Sequence, residues 1–224
     1  MAEVPAHEKY PEKFAQINQD EGSLRIASYQ IDIQDESAVE KARELILKME
    51  SLLIIEGEEA NPETITAGNI IGYGLAACQL KDVHTTEKKA PRIGTVIIPE
   101  VGEGELLHLR MINPQIMSQA KPFKYKGEGC LSFPGKYLST KRYRQVRVGF
   151  IDGNTLEPRE MEFHGFEAVV MQHEIDHHDG KVFMDHHEYP AIVSKKIGGN
   201  DPCPCGKLKA DGTPYKYKKC CQGL

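Results

Sequence analysis

His173, Glu174 and His177 are spaced so that a metal ion and a proton carrier can meet on one face of a helix. Residues four apart lie one turn apart on the same side. In His173-Glu174-Ile175-Asp176-His177 the two imidazoles can therefore hold one divalent ion, and Glu174 can reach a neighbouring water as general base. Val169 and Val170, one turn earlier, favour burial of that face. A hydrolytic site of this kind takes three protein ligands and keeps a position for water. His178 points about 100° around the helix and is badly placed to join. His186 and His187 follow a break at Gly180 and read as solvated connector residues. Cys130, in Glu128-Gly129-Cys130-Leu131-Ser132 beside a turn at Pro134-Gly135, is the better third ligand. Its other reading is a small buried hydrophobe.

Several elements must position these groups. From Asp35 to about Glu56, apolar residues from Val39 to Leu53 recur at three- and four-residue steps. That is an amphipathic helix, with Asp35 or Ser37 as its cap. Residues 57–69 read as a loop around Pro62. Extended runs follow at Ile93–Ile98, Leu106–Ile112, Gln145–Ile151 and Arg159–Phe163, the last two joined by a turn at Asp152-Gly153-Asn154. A second helix fits Gly165 to about His178 and stops at Asp179-Gly180. The order predicts an α+β fold of mostly antiparallel strands around a central metal-binding helix. Residues 1–22 are polar and aperiodic and read as a flexible arm.

The formal net charge of −5 gives no global basic field for nucleic acid. The first 22 residues hold five acids, two lysines and no arginine, unlike a secretory or transit signal. No apolar run approaches the ~20 residues of a spanning helix. Cytoplasmic residence without a membrane partner is the expectation.

Three stretches together resemble the signature motifs of peptide deformylases: Gly72-Tyr73-Gly74-Leu75-Ala76-Ala77-Cys78-Gln79, Glu128-Gly129-Cys130-Leu131-Ser132 and Gln172-His173-Glu174-Ile175-Asp176-His177. They stand in the family's order, and the resemblance covers a domain over residues 23–192. It implies a metal centre of Cys130, His173 and His177. Glu174 would be the acid–base residue, and the Gln79 amide and Leu131 backbone N–H would donate to an oxyanion. Gly74, Tyr73, Phe166, Val169 and Val170 would line the substrate pocket. It implies Fe(II) as the physiological ion, with Ni, Co or Zn able to substitute. The substrates implied are formylated nascent peptides, with formate released. Two residues depart from the family's usual pattern: Cys78, where proline is common, and Tyr73, where a smaller aliphatic residue is common.

The last segment differs in composition. After Gly198-Gly199-Asn200-Asp201-Pro202, four of the six cysteines fall in two close pairs: Cys203 with Cys205, and Cys220 with Cys221. Four thiols suffice for a closed tetrahedral zinc site. With Asn200-Asp201-Pro202 and Tyr217-Lys218-Lys219, they resemble a SEC-C zinc motif, giving a small module over residues 197–224. From Lys195 to the end there are seven lysines and two acids. The module therefore suits an acidic partner or the ribosome. Two other readings stand beside the deformylase one. One is a His-Glu-x-x-His peptidase, disfavoured by the Gly-Leu-Ala-Ala-Cys-Gln segment. The other is a non-catalytic binding protein, disfavoured by an intact Glu174.

Overall fold

The computed structural model describes residues 5–55, 69–83, 89–101, 105–187, 200, 209 and 213–219. The chain divides into two compact units, Met1–His187 and Glu188–Leu224.

In the first unit, five antiparallel strands form one sheet in the order β1-β2-β3-β4-β5. They are β1 (Gly74–Ala76), β2 (Ile93–Val101), β3 (Glu105–Gly129), β4 (Tyr137–Asp152) and β5 (Pro158–His164). Two long helices accompany them, α4 (Glu36–Leu53) and α5 (Gly165–His178). The Asp35 side chain caps α4, accepting from the N–H groups of Ser37 and Ala38. α4 stops at Leu53 because Ile54 turns extended and bridges to Ile70. α5 matches its sequence expectation and ends at Asp179, followed by Gly180 at φ 70°.

The sheet lies between the two helices, and β2 shows why. Its side chains alternate across the sheet. Ile93 and Ile97 join Ile46, Met49 and Leu53 of α4 in one core. Val96 and Ile98 join Ala168, Met171 and Ile175 of α5 in another. With both faces covered, β2 reads as an apolar run rather than an alternating one. A buried polar contact also holds α4 to the sheet. Glu50 accepts from Arg110 Nε at 2.8 Å and Nη2 at 2.7 Å, and lies 2.6 Å from His108 Nε2.

The largest departure from the sequence reading is β3. Only Leu106–Ile112 is legible as a strand, yet the strand continues to Gly129 and pairs with β4 along most of its length. Bulges interrupt the alternation that would have revealed it. Register shifts occur after Ile112, Ile116 and Tyr125, with positive φ at Asn113, Lys121 and Gly127. The bulge at Gly127 (φ 78°) matters most, because it re-aims the strand so that Glu128 enters the interior.

The expectation of a flexible arm over residues 1–22 is corrected for the described part. Three short helices form there: α1 (Ala6–Lys9), α2 (Pro11–Phe14) and α3 (Glu21–Leu24). Phe14 and Ile17 are buried, and Ile17 bridges to Leu80. Lys13 Nζ donates to the carbonyls of Ser51 and Ile54 at the end of α4, at 2.6 and 2.5 Å. Composition concealed this because only two apolar side chains anchor the segment.

Among the described residues no helix is long and apolar enough to cross a membrane. In the second unit, Tyr217–Lys219 form a 3-10 turn and Lys209 N–H donates to the Thr213 carbonyl at 2.8 Å. The four C-terminal cysteines and nearly all of the 57–69 loop lie outside the described residues.

Candidate metal centre

α5 is buried along nearly its whole length, from Ala168 to His178. A helix enclosed this way can carry polar side chains only if partners satisfy them. The site is built from those partners.

Cys130, His173 and His177 converge. One ligand atom from each lies within 4.8 Å of the other two. Cys130 Sγ stands 3.3 Å from His177 Nε2. The two imidazoles meet edge to face, centroids 4.9 Å apart. His173 turns Nδ1 away from this point to Glu128 Oε1 at 2.7 Å, leaving Nε2 for the shared centre. A histidine whose second nitrogen is held by a carboxylate is the usual support for a metal ligand. Among the described residues this is the group of His, Cys and acids that could hold an ion.

The electrostatics fit a cation. Burial by itself would push His173 down, but the Cys130 sulfur and the Glu128 carboxylate raise it well above the ordinary histidine value. The anionic field around Nε2 thus calls for positive charge. Burial, and then the proximity of His173, push His177 well below its ordinary value. His177 is therefore a neutral imidazole with a lone pair to give, the form metal binding requires. One thiolate and two imidazoles suit Fe(II), Ni, Co or Zn.

Glu174 lies beside this centre, and burial pushes its carboxyl up to about 7. Its Oε2 is buried without a hydrogen-bond partner. A carboxylate with a vacant oxygen and a near-neutral pKa is suited to accept a proton from water and return it. Gln79 is fixed from the other end. Its Oε1 accepts from the Ala76 N–H at 2.8 Å. That orientation aims Nε2 at Ser132 Oγ (3.3 Å) and Cys130 Sγ (3.5 Å), so the amide protons face the convergent ligands.

These groups open on a cavity of about 320 Å³. All of the sequence-predicted pocket residues line it, namely Tyr73, Gly74, Phe166, Val169 and Val170, together with Gln79, Leu131, Cys130, His173 and Glu174. His177 sits deeper, fully buried. Tyr73 and Phe166 are half exposed and pack edge to face at 4.9 Å. His186 and His187 do not join the centre. His186 Nε2 is 2.9 Å from Asp176 Oδ2, and His187 Nδ1 is 3.0 Å from the Ser139 carbonyl. Cys78 is core filler. It packs with Ala76 and Ala90, and burial pushes its thiol up to about 12.

Sequence reasoning missed the layer that holds the ligands. Arg142, buried, donates to Glu128 Oε2 at 2.9 Å through Nε and to Oε1 at 2.5 Å through Nη2, and to Asp176 through Nη1. Thr140 Oγ1 also donates to Glu128. Burial would raise the Glu128 pKa, but His173 and Arg142 hold the carboxyl well below the usual range. The one available signal was Glu128, two residues before the cysteine. Nothing in the spacing pointed to Arg142. The cavity wall formed by Ala6, His7 and Phe14 was also unforeseen.

The family model described as Polypeptide deformylase matches residues 11–191. A peptide deformylase of Mesorhizobium japonicum is 36% identical over 148 residues, 66% of this chain and 69% of that protein. One from Cellvibrio japonicus is 38% identical over 117 residues, 51% of this chain and 62% of its own length. One from Aquifex aeolicus is 44% identical over 79 residues, covering 46% of that protein. The chain thus aligns with between about half and two thirds of these relatives. The crystal structure of a peptide deformylase from Legionella pneumophila superposes with a TM-score of 0.57 at 28% identity. It covers 77% of this chain and 85% of that one.

Proposed function

Because the chain belongs to the polypeptide deformylase family, we propose that it is a metal-dependent hydrolase acting on formylated nascent polypeptides. It removes the N-formyl group from the first methionine and releases formate. The observation that carries this reading is the convergence of Cys130, His173 and His177 beside a buried Glu174 with a vacant oxygen.

Cys130, His173 and His177 would hold the metal, with Fe(II) as the physiological ion. When bound, the ion supplies Lewis acidity that lowers the pKa of water near it. Everything else falls to side chains. Glu174 takes a proton from the attacking water as it approaches the formyl carbon. The carbonyl oxygen gains charge as the carbon becomes tetrahedral. Hydrogen-bond donors fixed in advance stabilise that charge without reorganising. The Gln79 amide, locked by Ala76, is one, and the Leu131 backbone N–H is the other. Glu174 then hands its proton to the leaving amine, and the C–N bond breaks. A formyl group presents hydrogen where acetyl presents methyl. The close walls at Gly74 and Leu131 therefore favour formyl, and Tyr73, Phe166, Val169 and Val170 receive the methionine side chain.

The test is formate release from formyl-Met-Ala-Ser, with acetyl-Met-Ala-Ser and an unblocked peptide beside it. Cleavage of an internal peptide bond in preference to formyl release would favour a peptidase. No turnover with any loaded metal would favour a binding protein.

The C-terminal segment 197–224 we read as a zinc module of the SEC-C kind. Cys203, Cys205, Cys220 and Cys221 would hold one structural ion, and the lysine-rich surface would face the ribosome or another acidic partner. Its support is compositional: two cysteine pairs within an excess of lysine. A chain lacking 197–224 should deformylate a free tripeptide normally but co-sediment less with ribosomes at low salt. Unchanged co-sedimentation would remove the targeting role.

A further inference from the structure

The N-terminal helices border the cavity, yet the chemistry of Glu174, Gln79 and the metal ligands makes no use of them. Ala6, His7 and Phe14 line its wall. The segment is fastened there from two sides. Lys13, buried, donates from Nζ to the carbonyls of Ser51 and Ile54 at 2.6 and 2.5 Å. The last carbonyls of a helix have no partner within it and carry the negative end of its dipole, so an ammonium suits the end of α4. On the other side, the Asn18 N–H donates to the Gln79 carbonyl at 2.7 Å, and the Lys81 N–H donates to the Gln16 carbonyl at 3.0 Å. The segment is thus tied both to α4 and to the turn that carries Gln79.

These anchors fix which part of the cavity the segment borders. The Ile71 N–H donates to the Leu53 carbonyl at 2.8 Å, and Ile54 bridges to Ile70. Ile71 and Gly72 therefore lie beside the end of α4 where Lys13 is bound, and both line the cavity. A Cβ on Gly72 would stand 2.8 Å from Leu131 Cδ1 and 3.3 Å from Leu53 Cδ2, so the wall is close-packed here. Tyr73 and Gly74 come next, and Gly74 lies against Glu174. The wall thus runs from the reacting end at Glu174 through Tyr73 and Gly72 to Ile71, with His7 and Phe14 beside that far end. The His7 ring packs edge to face on buried Phe14, centroids 6.0 Å apart. Its Nε2 is 3.9 Å from Glu8 Oε1, beyond hydrogen-bond reach. Among the described residues, neither ring nitrogen is committed to a hydrogen bond.

We propose that His7, held on this wall, binds the substrate peptide beyond its first methionine, so that the N-terminal helices select on peptide length. The inference rests on the deformylase reading. A formyl group placed at Glu174, with the methionine side chain against Tyr73 and Phe166, leaves the following chain to pass Gly72 and Ile71. At about 3.3 Å per extended residue, the second and third residues of the peptide come level with that stretch. Backbone N–H and C=O groups need partners once they leave water. An imidazole can donate from one nitrogen and accept at the other, and so serve either group. Ala6 and Phe14 offer apolar surface beside it. This contact is far from the bond that breaks, so it acts on binding rather than on the chemical step. The substrate class it favours is formylated peptides of three or more residues over shorter ones.

The experiment measures formate release by the metal-loaded full chain from formyl-Met-Ala and formyl-Met-Ala-Ser-Ala, with KM and kcat read separately. In His7→Ala the ratio of the dipeptide KM to the tetrapeptide KM should shrink ~5-fold, the scale of one net hydrogen bond. The change should fall on the tetrapeptide KM rather than on kcat. Glu8 is exposed and outside the cavity wall, so Glu8→Ala should leave that ratio unchanged. Lys13→Met, which unfastens the segment from α4, should shrink the ratio at least as much as His7→Ala. If Lys13→Met fails to fold, His7→Ala decides the matter alone. An unchanged ratio in His7→Ala overturns the proposal. So does an equal loss on both peptides, which would make His7 a structural residue. Absence of formate release from either peptide overturns the deformylase reading instead. Calorimetry with unformylated Met-Ala-Ser-Ala and Met-Ala then tests His7 separately. His7→Ala should weaken the longer peptide ~5-fold and the shorter one less. Equal effects on the two, or no binding of either by the parent chain, overturn the proposal.

Discussion

Gly74 lies against Glu174 so closely that a Cβ on residue 74 would stand 2.7 Å from Glu174 Oε1 and 2.8 Å from its Cδ and Cγ. The glycine is the space in which the carboxylate sits. Gly74→Ala should therefore push Glu174 aside while leaving the three metal ligands in place. The expected result is a loss of at least ~10²-fold in kcat, the scale on which general acid–base catalysis acts. Metal content by elemental analysis should be unchanged. Near-normal turnover would mean Glu174 can work from a shifted position.

Glu128 touches no substrate, but it holds His173 Nδ1 at 2.7 Å and is itself held by Arg142. Glu128→Gln keeps the shape and removes the charge. It should weaken metal affinity by ~10- to 100-fold, the usual effect of losing a ligand's carboxylate support. A chelator competition titration reads this directly. Affinity within twofold of the parent would show that His173 is oriented by packing alone.

Tyr73 and Phe166 form an aromatic pair on the cavity wall, both half exposed. Tyr73→Val removes one ring and widens the pocket. The change should alter relative kcat/KM among formyl peptides with different first residues more than it alters kcat for the methionine peptide. A missing or added methylene in such a pocket is worth about 1–3 kcal/mol of discrimination. Identical ratios before and after the change would place the first side chain elsewhere.

Cys130 is only partly buried and lines the cavity, so its sulfur is open to oxidants. A thiolate on Fe(II) should be lost in air along the cysteine oxidation ladder. Iron-loaded protein should lose activity on aeration and gain oxygen atoms at Cys130 by mass spectrometry. Nickel-loaded protein should retain both activity and mass. Equal survival of the two would argue against an iron–thiolate centre.

Glu50 is buried between α4 and the sheet. Burial would raise its pKa, but His108 and Arg110 reverse this and hold it below the ordinary value of 4.5. A carboxyl depressed in the folded state contributes stability that is present above the unfolded pKa and lost as pH falls through the folded one. At neutral pH, Glu50→Gln should cost about 1–3 kcal/mol, the range for a buried charged hydrogen bond left unmade. That gap should narrow in thermal melts as pH drops below about 4.5. A gap constant with pH would mean that the variant acts through packing instead.

The sequence by itself determined the reacting groups. Four-residue spacing on a helix puts His173 and His177 on one face whatever surrounds them, so the pair and Glu174 could be read from local geometry. The apolar periodicity of α4 and α5 was equally local. Only the tertiary structure decided what holds those groups. Arg142 reaches Glu128 across 14 residues, Glu128 reaches His173 across 45, and Glu50 reaches Arg110 across 60. No periodicity links such pairs, because each depends on strand register and on bulges that break the alternation a reader looks for. The bulge at Gly127 sends Glu128 inward.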